Sequence, residues 1–336
     1  LEQIGAKGAG NEKAVANWNV LSTMSSSSIP RLLDSMNRAN DLGDNWIRSA
    51  IQEILAKSGL PSLPKDEVVQ FIRNTQNDGS SRRAAYEFLS ESHPQIAQSL
   101  IASFIDDTEP TLRREGVSLL LQEAGQINNK EQSIEAFEYA LGKARDVDQI
   151  EEASESLKNL GKIIQLQELM GFITNWEVIG PFDNTDREGF GKIYSPERDN
   201  GLLGKHTGKN GPITWKPCTT EDPLGLVDLN QPFGYLKEVL CYAHTEFESD
   251  SDRAVQFRIG SKNAWKLWVN NELVFARDEY HRGMTRVDQF ILDGRLKSGT
   301  NLILVKVCQN EQEESWTKQW EFSMRITDPS GEPIKP

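Results

Sequence analysis

The chain has 336 residues, of which 37% are hydrophobic and 26% are charged, and its 37 Lys and Arg against 50 Asp and Glu give a formal net charge of −13. This length suffices for two domains with buried cores, and the apolar fraction is too high for a disordered chain. No apolar run is long enough to cross a membrane, and an acidic chain repels phosphate backbones. We therefore expect no membrane span and no nucleic-acid partner.

Three cysteines lie in the second half of the chain, at Cys218, Cys241 and Cys308. They are too few and too far apart for a disulfide scaffold or a clustered metal site. We expect three buried free thiols, and one disulfide across a sheet is the alternative. The chain opens at Leu1 rather than Met, so a signal peptide would not be visible in it, and the residues alone do not give the compartment.

Residues 1–172 have the pattern of successive amphipathic helices. Turns that contain Gly, Pro or Asn, such as 59–61 and 77–79, separate segments of roughly 10–17 residues. Within 45–57, apolar residues recur at helical spacing and form one stripe. The residues expected as helix N-caps are Asp66, Asp78 and Thr111.

A weak repeat runs through this helical half: an arginine, a small residue two positions later, and apolar residues at the third and sixth positions. Its three copies begin at Arg48, Arg83 and Arg114. This spacing is typical of helical-pair solenoids, in which the small residue lets two helices approach closely. The pattern predicts a HEAT-like solenoid closed by a tetratricopeptide-like hairpin over 130–161. An irregular helical bundle is the alternative.

After Phe172 the hydrophobic pattern changes from period 3.6 towards period 2. Apolar and polar residues alternate over 255–259 and 320–326, and the second run predicts a strand with one apolar and one water-facing side. Asn270-Asn271 lies between two such runs and predicts a two-residue hairpin, because Asn tolerates positive φ. Many short strands without a long helix between them predict an antiparallel β-sandwich.

Three strings in this half resemble the galactose-binding-like jelly roll, a sandwich used by many carbohydrate-binding modules. They are Trp176-Glu-Val-Ile-Gly-Pro-Phe182, Ala264-Trp-Lys-Leu-Trp-Val-Asn270 (with Asn271 where a glycine is usual) and Lys297-Ser-Gly-Thr-Asn-Leu-Ile-Leu-Val-Lys306. The order of the whole chain resembles uncharacterised, generally secreted bacterial proteins that pair a HEAT-like region with this sandwich. The resemblance implies the fold and an extracytoplasmic setting, secreted or periplasmic. It does not imply any particular activity.

The sequence contains no nucleophile elbow, P-loop, zincin motif or Cys-x-x-Cys pair, and it has only four histidines. We therefore predict no catalytic residue. Of the four histidines, His281 is the one whose sequence neighbours most suggest a site; they include Asp278, Tyr280 and Arg282. These residues either line a polar, aromatic-floored ligand site, or His281 and Arg282 hydrogen-bond to carboxylates and pin a long loop onto the sheet.

Six of the eight tryptophans lie in the second half. Sugar rings stack on exposed aromatic planes, whereas a large aromatic side chain in a sandwich usually fills the core. Trp265 and Trp268 have opposite parity on one strand, so at most one of them faces the partner sheet. Trp316 lies in the polar run 311–318 and is the best candidate for an exposed aromatic side chain that contacts a ligand or partner. Trp268 is a second candidate.

A calcium ion is common in jelly rolls of this type, and the loop from Asp183 to Asp186 offers several hard oxygen ligands. The two aspartates are therefore candidate calcium ligands, although the same residues are ordinary turn formers. No other cofactor is predicted.

These patterns predict a multidomain α + β protein. It comprises an all-α HEAT/TPR-like repeat domain at 1–172, a galactose-binding-like β-sandwich (jelly roll) at 173–328 and a tail at 329–336. The leading function is non-enzymatic extracytoplasmic binding, in which the sandwich contacts a glycan and the helical repeats contact a protein. One alternative is a structural subunit of an envelope or extracellular assembly. Another is a carbohydrate-active enzyme or its accessory domain, which requires a carboxylate pair in a cleft and a raised pKa on one member.

Overall fold

The computed structural model describes residues 10–198 and 206–335, and the chain divides into two compact units, Leu1–Ala144 and Arg145–Pro336. Helices precede strands in the described residues, so the protein is a multidomain α + β protein. The helical region ends at Met170 and the first strand begins at Asn175, which brackets the change of pattern at residue 172. The compact units part earlier, after Ala144, so the last two helices before the strands belong to the strand-rich unit.

The first unit is helical throughout its described length. Its helices are α1 (Asn11–Leu21), α2 (Ile29–Met36), α3 (Asp41–Ser58), α4 (Lys65–Arg73), α5 (Gly79–Ser92), α6 (Pro94–Leu100), α7 (Pro110–Gln126) and α8 (Lys130–Lys143). Asp78 caps α5 as predicted and accepts from the Ser81 backbone N–H at 3.0 Å. Asp66 and Thr111 lie inside first turns instead. Pro110 occupies the first position of α7, so the preceding residue, Glu109, is the cap and accepts from the Leu112 N–H at 2.7 Å.

The small residues of the repeat pattern, Ala50, Ala85 and Gly116, are all buried. The three arginines of the repeat pattern are not buried. Arg82 is buried one position before Arg83, and its guanidinium donates to the Asp107 carboxylate at 2.9 Å. The ion pair joins the start of α5 to the turn that precedes α7, so it ties two helical layers together within this unit.

We expect Gly116→Ala to lower the free energy of unfolding by about 1–3 kcal/mol, because its Cβ would lie 2.6 Å from the Ile105 backbone nitrogen. Gly125→Ala in the same helix is the matched control, since its Cβ meets no atom within 4 Å. The control is expected to raise the free energy of unfolding by up to about 1 kcal/mol through helix propensity. Urea unfolding measures both variants, and equal effects would contradict the close helix contact.

The second unit contains α9 (Val147–Asn159), α10 (Leu166–Met170) and a one-turn helix, α11 (Asn230–Phe233). Its strands are β1 (Asn175–Asp183), β2 (His206–Gly208), β3 (Gly211–Ile213), β4 (Lys216–Thr219), β5 (Val227–Asp228), β6 (Val239–Ser249), β7 (Arg253–Gly260), β8 (Ala264–Val269), β9 (Glu272–Arg277), β10 (Phe290–Leu296), β11 (Gly299–Gln309) and β12 (Glu321–Thr327). One sheet has the order β4-β1-β6-β11-β8-β9 and the other β10-β7-β12-β5. All pairings in both sheets are antiparallel.

The two sheets share one apolar core. Val255, Phe257 and Ile259 of β7 contribute to it, as their alternation predicts. Trp265 is buried in this core, whereas Trp268 is half-buried in a second apolar cluster on the other face of the six-stranded sheet, which confirms the parity argument. The predicted hairpin is also confirmed, since Asn270 and Asn271 both have positive φ and join β8 to β9.

The polar side of β12 is not water-facing, contrary to expectation. Ser323, Arg325 and Thr327 are all buried. Arg325 donates to the Asp288 carboxylate at 2.8 Å and to the Met170 carbonyl at 3.3 Å, and Arg258 of β7 donates to the same carboxylate at 2.8 Å. The ion pair compensates the charge of the guanidinium, which allows the arginine to be buried. The loop before β10, which carries Asp288, and the end of α10, which carries Met170, can therefore cover this face of the sheet.

The residues expected as a tail turn back onto the same strand. The Ile334 N–H donates to the Ile326 carbonyl at 2.9 Å, and Thr327 pairs with Pro333. All three cysteines are free; Cys241 and Cys308 are buried and Cys218 is half-buried. Among the helices of the described segments, none combines the length and the hydropathy that a membrane crossing requires.

We expect Asp288→Asn to lower the free energy of unfolding by about 3–5 kcal/mol, because it leaves two buried guanidinium groups without a counter-charge. Asp293→Asn, an exposed position on the neighbouring β10, is the control and should stay within about 0.5 kcal/mol of the parent.

The same carboxylate makes stability depend on acid pH. Burial raises the pKa of Asp288, but Arg325 and then Arg258 outweigh it, and the net pKa lies below its usual value. A depressed folded-state pKa stabilises the protein above the unfolded value of about 3.9, and this stabilisation is lost as the pH falls through the folded pKa. Urea unfolding between about pH 5 and 2 should be less pH-dependent in Asp288→Asn than in the parent.

Candidate functional site

A cleft of about 550 Å³ opens at the end of the four-stranded sheet. It is lined by Asp228, Asn230, Tyr235, Lys318, Gln319 and Glu321. The first three residues come from β5 and the α11 segment, Lys318 and Gln319 come from the loop that leads into β12, and Glu321 is the first residue of β12. This volume lies in the range of small-molecule and oligosaccharide sites, and the lining offers carboxylates, amides and an aromatic ring.

Two large aromatic side chains beside the cleft are exposed. Tyr235 lines it and is 78% exposed, while Trp316 is 51% exposed and precedes Lys318 by two residues in the same wall. The Lys237 ammonium, two residues after Tyr235, donates to the Thr317 carbonyl at 2.9 Å. This bond joins the segment that carries Tyr235 to the segment that carries Trp316; the Tyr235 side chain lines the cleft, and the Trp316 ring packs against His281.

Buried side chains fix the wall that carries Trp316. Lys262 is 1% exposed, and its ammonium donates to the Trp316 carbonyl at 2.6 Å and to the Gln319 side chain. Gln309 donates to the Thr317 carbonyl at 2.9 Å. Burial lowers the pKa of Lys262, and the charge of Glu321 partly opposes that shift. The wall is thus held by side-chain donors in place of a sheet ladder.

His281 lies beneath Trp316. Its ring meets the indole edge-to-face with centroids 5.9 Å apart, and its Nε2 donates to Asn310 Oδ1 at 3.0 Å. Its backbone N–H donates to the Lys262 carbonyl at 2.6 Å. The histidine therefore pins the loop, as the structural interpretation holds, but through an amide and a carbonyl rather than a carboxylate.

The remaining residues of the His281 loop lie on the surface near it. Tyr280 is half-buried and accepts from Asn184 Nδ2 at 3.1 Å, and the Arg187 guanidinium lies over its ring at 5.2 Å. Asp278 and Arg282 are exposed. Arg282 makes no carboxylate contact among the described residues; the arginines that hold this loop are Arg258 and Arg325. A ligand role for the four predicted loop residues stays a prediction.

Trp268 is not among the residues that line the cleft. It packs on the outer face of the six-stranded sheet, against the same apolar cluster as Tyr280. Its cross-strand neighbours are Leu304 and Leu273.

The proposed calcium loop does not fit a cation well. The Asp183 carboxylate accepts from the Thr185 hydroxyl at 2.7 Å and lies 2.9 Å from the Lys209 ammonium, and these bonds lower its pKa. An ammonium at this distance occupies the position that a metal ion would need. In the described residues no group of three or more His, Cys, Asp or Glu could hold a metal ion.

Two carboxylates of the cleft face each other across neighbouring strands. Asp228 and Glu321 are directly opposite in the β5–β12 register. Burial is the main cause of a raised pKa at Glu321, and the charges of Asp228 and Asp222 add to it, whereas Thr285 and Lys262 lower it. A carboxylate pair in a cleft with one raised pKa is therefore present.

Sequence reasoning missed Tyr235 and both of these carboxylates. The available signals were weak: Tyr235 follows Gly234, a turn glycine with φ of 83°, and Asp228 stands between the core residues Val227 and Leu229. Neither pattern shows which distant segment of the chain forms the other wall of the cleft.

Comparison with known proteins yields no relative. No protein-family model matches the chain, and no curated protein matches it. Among solved structures, a β-glucosidase from Kluyveromyces marxianus is 13% identical with a TM-score of 0.22 over 27% of this chain and 11% of that chain. A GH31 α-xylosidase from Xanthomonas citri is 11% identical with a TM-score of 0.21 over 47% of this chain and 16% of that one. Since this chain spans so little of either protein and the TM-scores are low, we base no inference on them.

We expect the stability of the sandwich to fall as the pH drops below about 6.5, in part through His281. Burial, with the charges of Lys237 and Lys262, lowers the pKa of His281, whereas the hydrogen bond that its ring donates to Asn310, together with an interaction with Gln309, raises it. A histidine whose pKa is depressed in the folded state favours unfolding once the unfolded chain takes up the proton. His281→Gln keeps a donor for Asn310 and cannot titrate.

Urea unfolding at about pH 7.5 and pH 5.5 measures this effect. The loss of stability between the two pH values should be smaller in His281→Gln than in the parent. His206 and His244, whose pKa values burial also lowers, contribute to the loss that remains in the variant. An unchanged pH dependence in the variant would show that His281 does not contribute.

Proposed function

We propose that the protein is a non-enzymatic glycan-binding protein and that the cleft beside Tyr235 and Trp316 is its binding site. The observation that carries the proposal is a cleft of about 550 Å³ that is lined by the exposed Tyr235 ring and by polar side chains, with the exposed Trp316 ring two residues before Lys318 of its lining. A sugar ring presents an apolar C–H face and a rim of hydroxyl groups. The exposed rings supply stacking planes for the face, and the acids and amides of the cleft supply acceptors and donors for the rim.

The rigidity of the site supports binding. Because Lys262, Lys237 and Gln309 already hold the wall that carries Trp316, a ligand does not have to order that segment. A preorganised site spends less of its interaction energy on restricting its own loops. An exposed indole on a fixed loop is thus suited to a ligand contact.

The wider proposal extends to the whole chain. We take the helical unit as a HEAT-like repeat region that contacts a protein, and the sandwich as a galactose-binding-like jelly roll. Buried small residues between helices and two antiparallel sheets around one core support these assignments. An extracytoplasmic setting belongs to the same proposal and rests on the family resemblance.

A carbohydrate-active enzyme is a second candidate, favoured by the carboxylates Asp228 and Glu321 in the cleft. It requires one of them to act as an acid and the other as a base or nucleophile. Release of reducing sugar from a polysaccharide panel tests this candidate. Loss of that activity in both Asp228→Asn and Glu321→Gln would favour it over binding alone.

The binding proposal is tested on the full chain with a panel of soluble polysaccharides, followed by calorimetry on any oligosaccharide that binds. Trp316→Ala and Tyr235→Ala should each weaken binding about tenfold, which corresponds to about 1.4 kcal/mol. Tyr139→Ala is the matched control, because Tyr139 is an exposed tyrosine of the helical unit. It should leave the affinity unchanged.

Two results would overturn the proposal. Absence of binding to every glycan of the panel would favour a structural role in an assembly. Binding that survives the loss of both rings would place the glycan elsewhere on the protein, and the outer face of the six-stranded sheet around Trp268 would be the next surface to test.

A further inference from the structure

Asp228 and Glu321 form a like-charge pair that the fold does not neutralise. They are directly opposite in register, and their neighbours Val227 and Phe322 both point into the core. Both carboxylates therefore project from the same outer face of the sheet, with Cβ atoms roughly 5 Å apart. Like charges placed directly opposite on a sheet cost stability, so this arrangement favours a cation between them.

The groups that contact the two carboxylates are mainly neutral donors. Asp228 Oδ1 accepts from the backbone N–H and the side-chain amide of Asn230, both at 2.9 Å. The Thr285 hydroxyl lowers the pKa of Glu321. Among the described residues, neither carboxylate forms an ion pair within 4.0 Å.

The cations nearby leave room for a further one. The ammonium of Lys262 faces Glu321, but its short hydrogen bonds go to the Trp316 carbonyl and to Gln319. Lys318 lines the cleft and is exposed. The Lys237 ammonium donates to the Thr317 carbonyl at 2.9 Å. Within the described parts of the chain, none of these three ammonium groups lies within ion-pair distance of Asp228 or Glu321, and Asp222 is a further acidic neighbour of Glu321.

We propose that the cleft selects a glycan that carries amino sugars, whose primary ammonium group lies between Asp228 and Glu321 while its rings contact Tyr235 and Trp316. The inference rests on the proposed glycan-binding function and narrows it to one ligand class. A primary ammonium group has three N–H donors and no acceptor, which suits a site that offers two facing carboxylates. The exposed rings favour a sugar over a lysine side chain, because they add stacking planes that a flexible alkyl chain does not need.

The matched probes are a β-1,4-linked glucosamine hexamer and its N-acetylated counterpart, which differ only in the charge and acetylation of the nitrogen. Calorimetry with the full chain at about pH 6, where the amines are protonated, should show at least tenfold tighter binding of the glucosamine hexamer. The preference should shrink in about 0.5 M salt, since screening weakens charge contacts at a solvent-open cleft. A polygalacturonate oligomer should not bind measurably.

Two isosteric variants test the carboxylates. Asp228→Asn keeps an acceptor for Asn230, and Glu321→Gln keeps the size and shape of the side chain, so each removes the charge and little else. Each should reduce the preference for the glucosamine hexamer to about twofold or less. Asp228→Asn should also leave the protein as stable as the parent or more stable, because it removes the like-charge contact.

Glu246→Gln is the control for the general acidity of the protein. Glu246 is an exposed acid of β6 on the six-stranded sheet, so its loss changes the net charge equally without touching the cleft. This variant should keep the full preference. A fall in preference equal to that of Asp228→Asn would show non-specific attraction of a polycation and would overturn the inference.

The remaining outcomes separate the inference from the function on which it rests. Equal binding of the two hexamers, weakened by Tyr235→Ala, would overturn the amino-sugar selection and leave glycan binding in place. Failure of both hexamers and of the polysaccharide panel would overturn both proposals. An oligolysine peptide that binds as tightly as the glucosamine hexamer, without dependence on either ring, would assign the cleft to a basic peptide instead.

Discussion

The carboxylate of Asp288, held between the guanidinium groups of Arg258 and Arg325, is the interaction on which the sandwich depends. It lies at the end of the long connection from β9 to β10 and fixes that connection against the outer face of β7 and β12. The contact is close enough that a Cβ on Gly260 would lie 2.0 Å from the Arg286 carbonyl oxygen. A buried charge of this kind contributes little to net stability by itself, but it allows only one placement of the loop.

That placement determines the cleft. The same connection carries His281, which contacts Trp316 and bonds to the Lys262 backbone. The wall at 310–320 has almost no regular structure, and its carbonyl groups instead accept from side chains that come from other segments of the sandwich. The donors Lys262 and Gln309 are buried at strand ends and Lys237 is half-buried, so side chains fixed by the sheets hold the irregular wall. A binding surface built in this way has exposed rings on a fixed backbone.

The parts of this architecture that sequence could predict are those set by neighbouring residues. The hairpin at Asn270-Asn271 follows from local backbone preference, and the inward side of Trp265 follows from alternation along one strand. Alternation could not reveal that Arg325 is buried, because it gives the direction of a side chain and not what covers it. The same holds for the cleft, since the Asp228–Glu321 contact depends on which distant strand lies beside β5. Trp316 was predictable only because a polar run surrounds it.

The restraint on the two carboxylates bears on the role proposed for them. Asp228 and Glu321 are cross-strand neighbours whose side chains project from one face of the sheet. Two N–H groups of Asn230 donate to one oxygen of Asp228, so this carboxylate is held in one orientation. A carboxylate held in this way suits a fixed contact to a charged substituent of a sugar, as the amino-sugar proposal requires. Retaining glycosidases also place their two carboxyl groups about 5 Å apart, so the same pair would serve catalysis only if one group protonated the leaving oxygen while the other attacked the sugar ring.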